Sequence, residues 1–192
     1  MRIHGSYKIV RRTNVDDKHY SLYETELRED FHHMCGYCGK SEAVTKKGFE
    51  IDHFVPQCLD KSLKNSYGNL VYSCFTCNRK KGSKWPTENP LKHNDGKIGF
   101  VDPASDDYDT HLGRDECGKI VPYSPLGEYM SEQVFKFGER PTDVIWKAMK
   151  IIELKEALKE RVETMSLSET KEYVAVDQEL NELMTYIFNK KE

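Results

Sequence analysis

Two cysteine pairs bracket an Asp-His step in this chain. Cys35-Gly-Tyr-Cys38 comes first, Glu50-Ile-Asp52-His53 follows, and Cys74-Phe-Thr-Cys77 runs directly into Asn78. Four thiolates in two CxxC units can close a tetrahedral zinc site. A structural zinc needs neither an Asp and a His between its ligand pairs nor an Asn behind them. That extra polar set is the candidate for chemistry. Cys58 and Cys117 have no place in this scheme and are expected to be small buried or partly buried groups.

Several elements must position these residues. Residues 22–34 read as a helix, with Leu22, Leu27 and Phe31 among polar neighbours, delivering the chain to Cys35. Gly36 and Gly39 allow a knuckle that aims two sulfurs at one ion. Phe49 to Val55 reads as a short strand ended by Pro56, and residues 57–68 as a loop. A second helix is expected from near Cys74 through Asn78 to Lys81, closed by Gly82 and Pro86. Residues 1–20 read as an arm or edge strand. Five prolines between 86 and 125 predict an irregular wrap, with a small hairpin near Lys119 to Tyr123. Pro141 is placed to open a helix to about Thr164, striped by Ile145, Met149, Ile152 and Leu158. Ser166 and Glu169 form a capping box for a last helix, in which Val176, Leu180, Leu183 and Ile187 repeat at seam spacing. The expected class is α+β, divided as 1–99, an irregular 100–140, and a helical hairpin over 141–192.

The net charge of -3 is misleading until it is divided. Residues 1–99 hold 17 Lys+Arg against 12 Asp+Glu, a net of +5, while residues 100–192 hold 12 against 20, a net of -8. A basic first half fits an anionic partner. Lys61, Lys64, Arg79, Lys80, Lys81 and Lys84 are its densest cations and the candidates for phosphate contact. No run approaches a membrane span, and the start, Met1 to Ser6, has no apolar signal core. A cytoplasmic location without membrane contact is expected, which with the CxxC pairing favours metal over disulfides.

The pattern Cys35, Cys38, Glu50, Asp52, His53, Pro56, Gly68, Asn69, Leu70, Val71, Cys74, Cys77, Asn78, Lys81, Gly82 resembles the zinc-stapled subset of the HNH endonucleases. The likeness covers residues 28–85 and continues weakly through Phe100 to Pro103 and Asp109 to Leu112. It implies a ββα-metal core, with structural zinc on the four cysteines, that cuts DNA phosphodiesters with a catalytic Mg²⁺ or Mn²⁺. It assigns His53 as general base, Asp52 and Asn78 as ligands of the catalytic ion, and Asn69 as the residue holding the loop and orienting the base. Adjacent strand residues face opposite ways, so Asp52 and His53 need a bulge or twist to reach one phosphate. A looser likeness, to nuclease subunits paired with an ATPase in Septu or retron antiphage systems, implies such a partner. The C-terminal helices suit a protein partner or a homo-oligomer.

Blander readings stand beside these. A zinc ribbon that binds nucleic acid or protein and cuts nothing needs the same cysteines. Glu50 reads equally as a salt-bridge residue or an ion ligand. His32 and His33 read as structural, His111 as a lesser candidate for substrate contact, and Trp85 as packing for the end of the metal helix.

Overall fold

A computed structural model describes residues 1–159, 161 and 164–189. The elements, in chain order, are α1 (Glu24–Asp30), β1 (Phe49–His53), β2 (Leu70–Cys74), α2 (Phe75–Lys81), α3 (Tyr108–His111), β3 (Leu112–Arg114), β4 (Ile120–Pro122), α4 (Pro125–Glu128), α5 (Thr142–Lys159) and α6 (Leu167–Asn189). Short 3₁₀ turns link them, and a π-helical stretch, Tyr129–Phe135, follows α4. The class is α+β, with two small antiparallel sheets, β1-β2 and β3-β4.

β1, β2 and α2 follow one another as strand, strand and helix. β1 pairs with β2 from Phe49↔Cys74 to His53↔Leu70 without interruption. Of the bulge or twist expected at Asp52-His53, the bulge is absent. An unbroken pleat sends the two side chains to opposite faces. α1 is shorter than the expected helix, and Leu22 lies outside it in a turn, 62% exposed. Leu27 and Phe31 carry the packing instead, both fully buried.

The knuckle at Cys35 is tight for reasons of space. A Cβ on Gly36 would lie 2.7 Å from Phe31 and 2.8 Å from Val71, and Gly39 sits at φ +65°. One apolar cluster gathers α1, the knuckle, the β1-β2 sheet and the segment after residue 100, including Phe100, Tyr108, Leu126, Phe135 and Phe137. Residues 100–140, expected as an irregular segment packing on the 1–99 unit, do pack into its core, and they carry a hairpin and several helical turns. Of the expected hairpin near Lys119 to Tyr123, Ile120–Pro122 forms one strand, paired with Leu112–Arg114. Trp85 is buried against Phe54 and stacks 5.7 Å from Phe100, closing the end of α2.

α5 and α6 pack as a hairpin over a smaller cluster of Met34, Val44, Ile145, Trp146, Ala148, Met149 and Ile187. The capping box forms as expected, with Ser166 Oγ accepting from the Glu169 amide and Glu169 accepting from the Ser166 amide. α5 ends at Lys159; the stretch of the expected helix at 160, 162 and 163 lies outside the described residues. Among the described residues, no helix is long and apolar enough to cross a membrane.

Candidate active site and metal centre

The knuckle and the start of α2 bring Cys35, Cys38, Cys74 and Cys77 together, all buried, with their sulfurs within 4.8 Å of one another. A tetrahedron with Zn–S bonds of about 2.3 Å has S···S edges of roughly 3.8 Å. Cys38 Sγ and Cys74 Sγ stand 3.8 Å apart. The donor set and its spacing fit zinc. Arg140 adds what four thiolates around a dication need, a compensating charge, with Nη1 3.3 Å from Cys77 Sγ and Nη2 3.7 Å from Cys38 Sγ. Burial opposes its charge, but the sulfurs of Cys77, Cys38 and Cys74 outweigh it and raise its pKa further.

His53 ends β1, its ring facing the 57–68 loop and the N-terminal arm. Its Nε2 lies 2.8 Å from the Lys64 carbonyl and its Nδ1 3.1 Å from Gln57 Nε2. A carbonyl only accepts, so Nε2 carries the proton and the Nδ1 lone pair is the basic site. Burial lowers the imidazole pKa, opposed by the Lys64 carbonyl and by Asp52, and this favours the neutral base. The loop itself is clasped by Asn69. Its Oδ1 accepts from the Val55 amide at 2.8 Å, and its Nδ2 donates to the carbonyls of Val55 and Leu63.

Asp52 lies on the other face, against α2. Tyr37 OH donates to its Oδ2 at 2.5 Å, and Lys81 Nζ sits 3.1 Å from the same oxygen. Lys81 also donates to the His53 carbonyl at 2.8 Å and has no exposed surface. Burial raises the pKa of Asp52 and lowers that of Lys81, each opposed by its partner's charge. Lys81 is therefore withdrawn from the expected phosphate contacts: it is the internal counter-ion of Asp52. Asn78 donates from Nδ2 to Glu50 at 2.5 Å, and Arg79 pairs with the same carboxylate at 3.1 Å. An ion held between Asp52 and Asn78 does not fit this arrangement, because the Asp52 carboxylate is buried and already neutralised by Lys81.

The remaining cations differ in availability. Lys61, Arg79 and Lys84 are exposed, while Lys64 and Lys80 are half-buried. His111 is separate from the site, its Nδ1 2.6 Å from Ser124 Oγ. His32 meets the Lys8 carbonyl and His33 lies 3.5 Å from Glu42, beyond the end of α1. Cys58 and Cys117 are exposed, contrary to the expectation of burial.

Residues 35–84 match the family model described as HNH endonuclease. The chain carries an HNH endonuclease domain. It is distantly similar to the Septu protein PtuB of Bacillus thuringiensis, at 28% identity over 103 residues, 50% of this chain and 37% of that protein. The chain thus matches little more than a third of that relative's length. No solved structure matches.

Several partners of the HNH residues carry weak sequence signals. Tyr37 lies within the first CxxC and Gln57 four residues after His53, so local spacing offered a hint of each. Arg140 lies 102 residues from Cys38 and carried none. Arg114 was equally silent. It is buried, donating to the carbonyls of Ile3, Gly118 and Cys38, and so ties the arm, the β3-β4 hairpin and the cysteine knuckle together. Burial lowers its pKa to about 10, which leaves it charged at neutral pH.

Proposed function

We propose that this chain is an endonuclease that hydrolyses DNA phosphodiester bonds, with His53 as the general base. The observation that carries this reading is the state of His53: Nε2–H tied to the Lys64 carbonyl, Nδ1 basic, burial favouring the neutral form, and the loop clasped by Asn69. At rest Gln57 Nε2 donates to His53 Nδ1; in the reaction a water takes the place of that donor, and Nδ1 receives its proton as the water oxygen attacks phosphorus. The P–O3′ bond breaks, leaving a 5′-phosphate and a 3′-hydroxyl whose oxygen is protonated from solvent. Gln57 and Asn69 hold the base and its loop. Lys61, Lys64, Arg79, Lys80 and Lys84 supply cations for backbone phosphates, without reading sequence.

The family resemblance adds a requirement for Mg²⁺ or Mn²⁺, which offsets charge on the phosphate and the leaving oxygen. Asp52 and Asn78 do not present a site for that ion, because Lys81 neutralises the buried Asp52 carboxylate and Asn78 is engaged by Glu50. The likeness to a Septu protein supports a setting in antiphage defence, with an ATPase subunit as partner and α5-α6 as a contact surface for that subunit or a second copy. The buried Asp52–Lys81 pair favours a second reading, a zinc module that binds nucleic acid or protein without cutting. Cleavage of supercoiled, linear and single-stranded DNA with Mg²⁺ or Mn²⁺, with and without a copurified ATPase, separates the two. Cutting by zinc-loaded wild type and none by zinc-loaded His53→Ala supports the nuclease. Retained DNA binding with no metal-dependent cutting, partner present, supports the module.

A further inference from the structure

The N-terminal arm lies outside the matched residues 35–84, yet it reaches His53. Tyr20, on a 3₁₀ turn capped by His19, meets the imidazole edge-on with ring centroids 4.7 Å apart. Its amide is held by Asn65 Oδ1 at 3.1 Å, which fixes the turn to the 57–68 loop. Lys64, whose carbonyl holds His53 Nε2, also places its ammonium 5.9 Å from the Tyr20 ring.

The same Tyr20 forms one wall of an open groove of about 340 Å³. Phe49, Ile51 and Tyr72 of the β1-β2 sheet provide its apolar surface, and Glu24, Glu50 and Arg79 its charged rim. Two carboxylates against one guanidinium make this a poor place for a phosphate. Ser21 and Asn78 complete a mixed lining, and Glu50 is engaged by Asn78 and Arg79. The Tyr20 ring and the apolar patch beside the Glu24 carboxylate therefore suit a group with a π face and an amino donor at its edge. Adenine, cytosine and guanine have both features, and aromatic side chains stack on any base. A base within a duplex has its faces covered by its neighbours, so the occupant is unpaired.

We propose that this groove holds one unpaired nucleobase of the substrate strand, stacked on Tyr20 beside His53, with Glu24 accepting from its exocyclic amino group. The assignment deepens the nuclease reading and rests on it for the identity of the strand as substrate. It makes the arm part of the site and the strand at the cut locally single-stranded.

The test is binding of fluorescent 12-mers, dC, dA and dT homopolymers and a mixed duplex, to zinc-loaded protein without added Mg²⁺ or Mn²⁺ at fixed salt. Tyr20→Ala is expected to weaken single-strand binding roughly 5- to 150-fold, with duplex binding changed less than about twofold. Tyr20→Phe restores single-strand binding, because the ring and not the hydroxyl stacks. Glu24→Gln narrows the preference of the protein for dC and dA over dT. Unchanged binding by a folded, zinc-loaded Tyr20→Ala overturns the proposal, as does equal weakening on duplex and single strand, or no binding of any oligonucleotide by wild type. Cleavage is scored separately. Tyr20-dependent binding by a protein that never cuts removes the nuclease reading and keeps the groove, whereas cutting with Tyr20-independent binding does the reverse.

Discussion

The cysteine cluster and the His53 centre lie on the same strand–strand–helix unit, yet they are organised in opposite ways. In the cluster every donor comes from within 43 residues of the chain, all four sulfurs face one point, and Arg140 supplies the outer charge. At the second centre the charged and basic groups of neighbouring residues are separated by the strand pleat. Asp52 turns to Tyr37 and Lys81, His53 to Lys64, Gln57 and Tyr20. A closed site can be specified by spacing, whereas an open one depends on which neighbours the fold puts on each face.

If the cluster is structural and His53 chemical, their losses should differ most in stability. Removing zinc with a chelator, or Cys38→Ala, is expected to unfold the 35–84 region, since structural zinc contributes about 10–16 kcal/mol in small domains. Circular dichroism with zinc content measured on the same sample checks this; a chelated protein that keeps its melting transition would refute the structural role. Lys81→Met should come next. It strands a buried Asp52 carboxylate, at a cost of about 3–5 kcal/mol in urea unfolding. Adding Asp52→Asn should recover part of that loss, and strictly additive losses would show that the pair is not the source.

Arg114→Met tests whether the cluster needs its distant tie. Several buried carbonyls lose their donor, and a loss of about 2–4 kcal/mol is expected, with zinc still bound. Asn69→Ala should cost about 1–3 kcal/mol and lower cleavage by loosening the loop that carries Lys64; full activity with lower stability would reduce Asn69 to a purely structural residue. At the small end, Lys147→Ala removes an exposed ion pair with Glu179 on the α5-α6 hairpin. It should move stability by less than about 1 kcal/mol and leave both centres untouched.

Much of this organisation was legible in the chain. The CxxC spacing predicted the cluster, the Ser166–Glu169 box the start of α6, and Gly82 the end of α2, while β1 stops at His53, two residues short of the strand expected up to Pro56. Of the bulge or twist expected at Asp52-His53, the bulge did not form: the requirement came from a function, while the β1-β2 register runs through both residues without a break. Lys81 failed as a surface cation for a related reason. Position on a charged run says nothing of direction, and α2 turns this one residue of the run into the core. Cys58 and Cys117 were misplaced because cysteine's usual burial is only a composition-level tendency.

By itself, the sequence determined the thiolate donors, the imidazole at position 53, the Asn69 and Asn78 positions, and the capped helical tail. These follow from side-chain chemistry and from spacings a few residues long. Only the tertiary structure decided that Lys81 neutralises Asp52, that Arg140 and Arg114 brace the cluster from 63 or more residues away, and that Tyr20 stands beside His53. Those pairings depend on how separate elements pack, and a buried charge takes the partner that packing brings to it, wherever that partner lies in the chain.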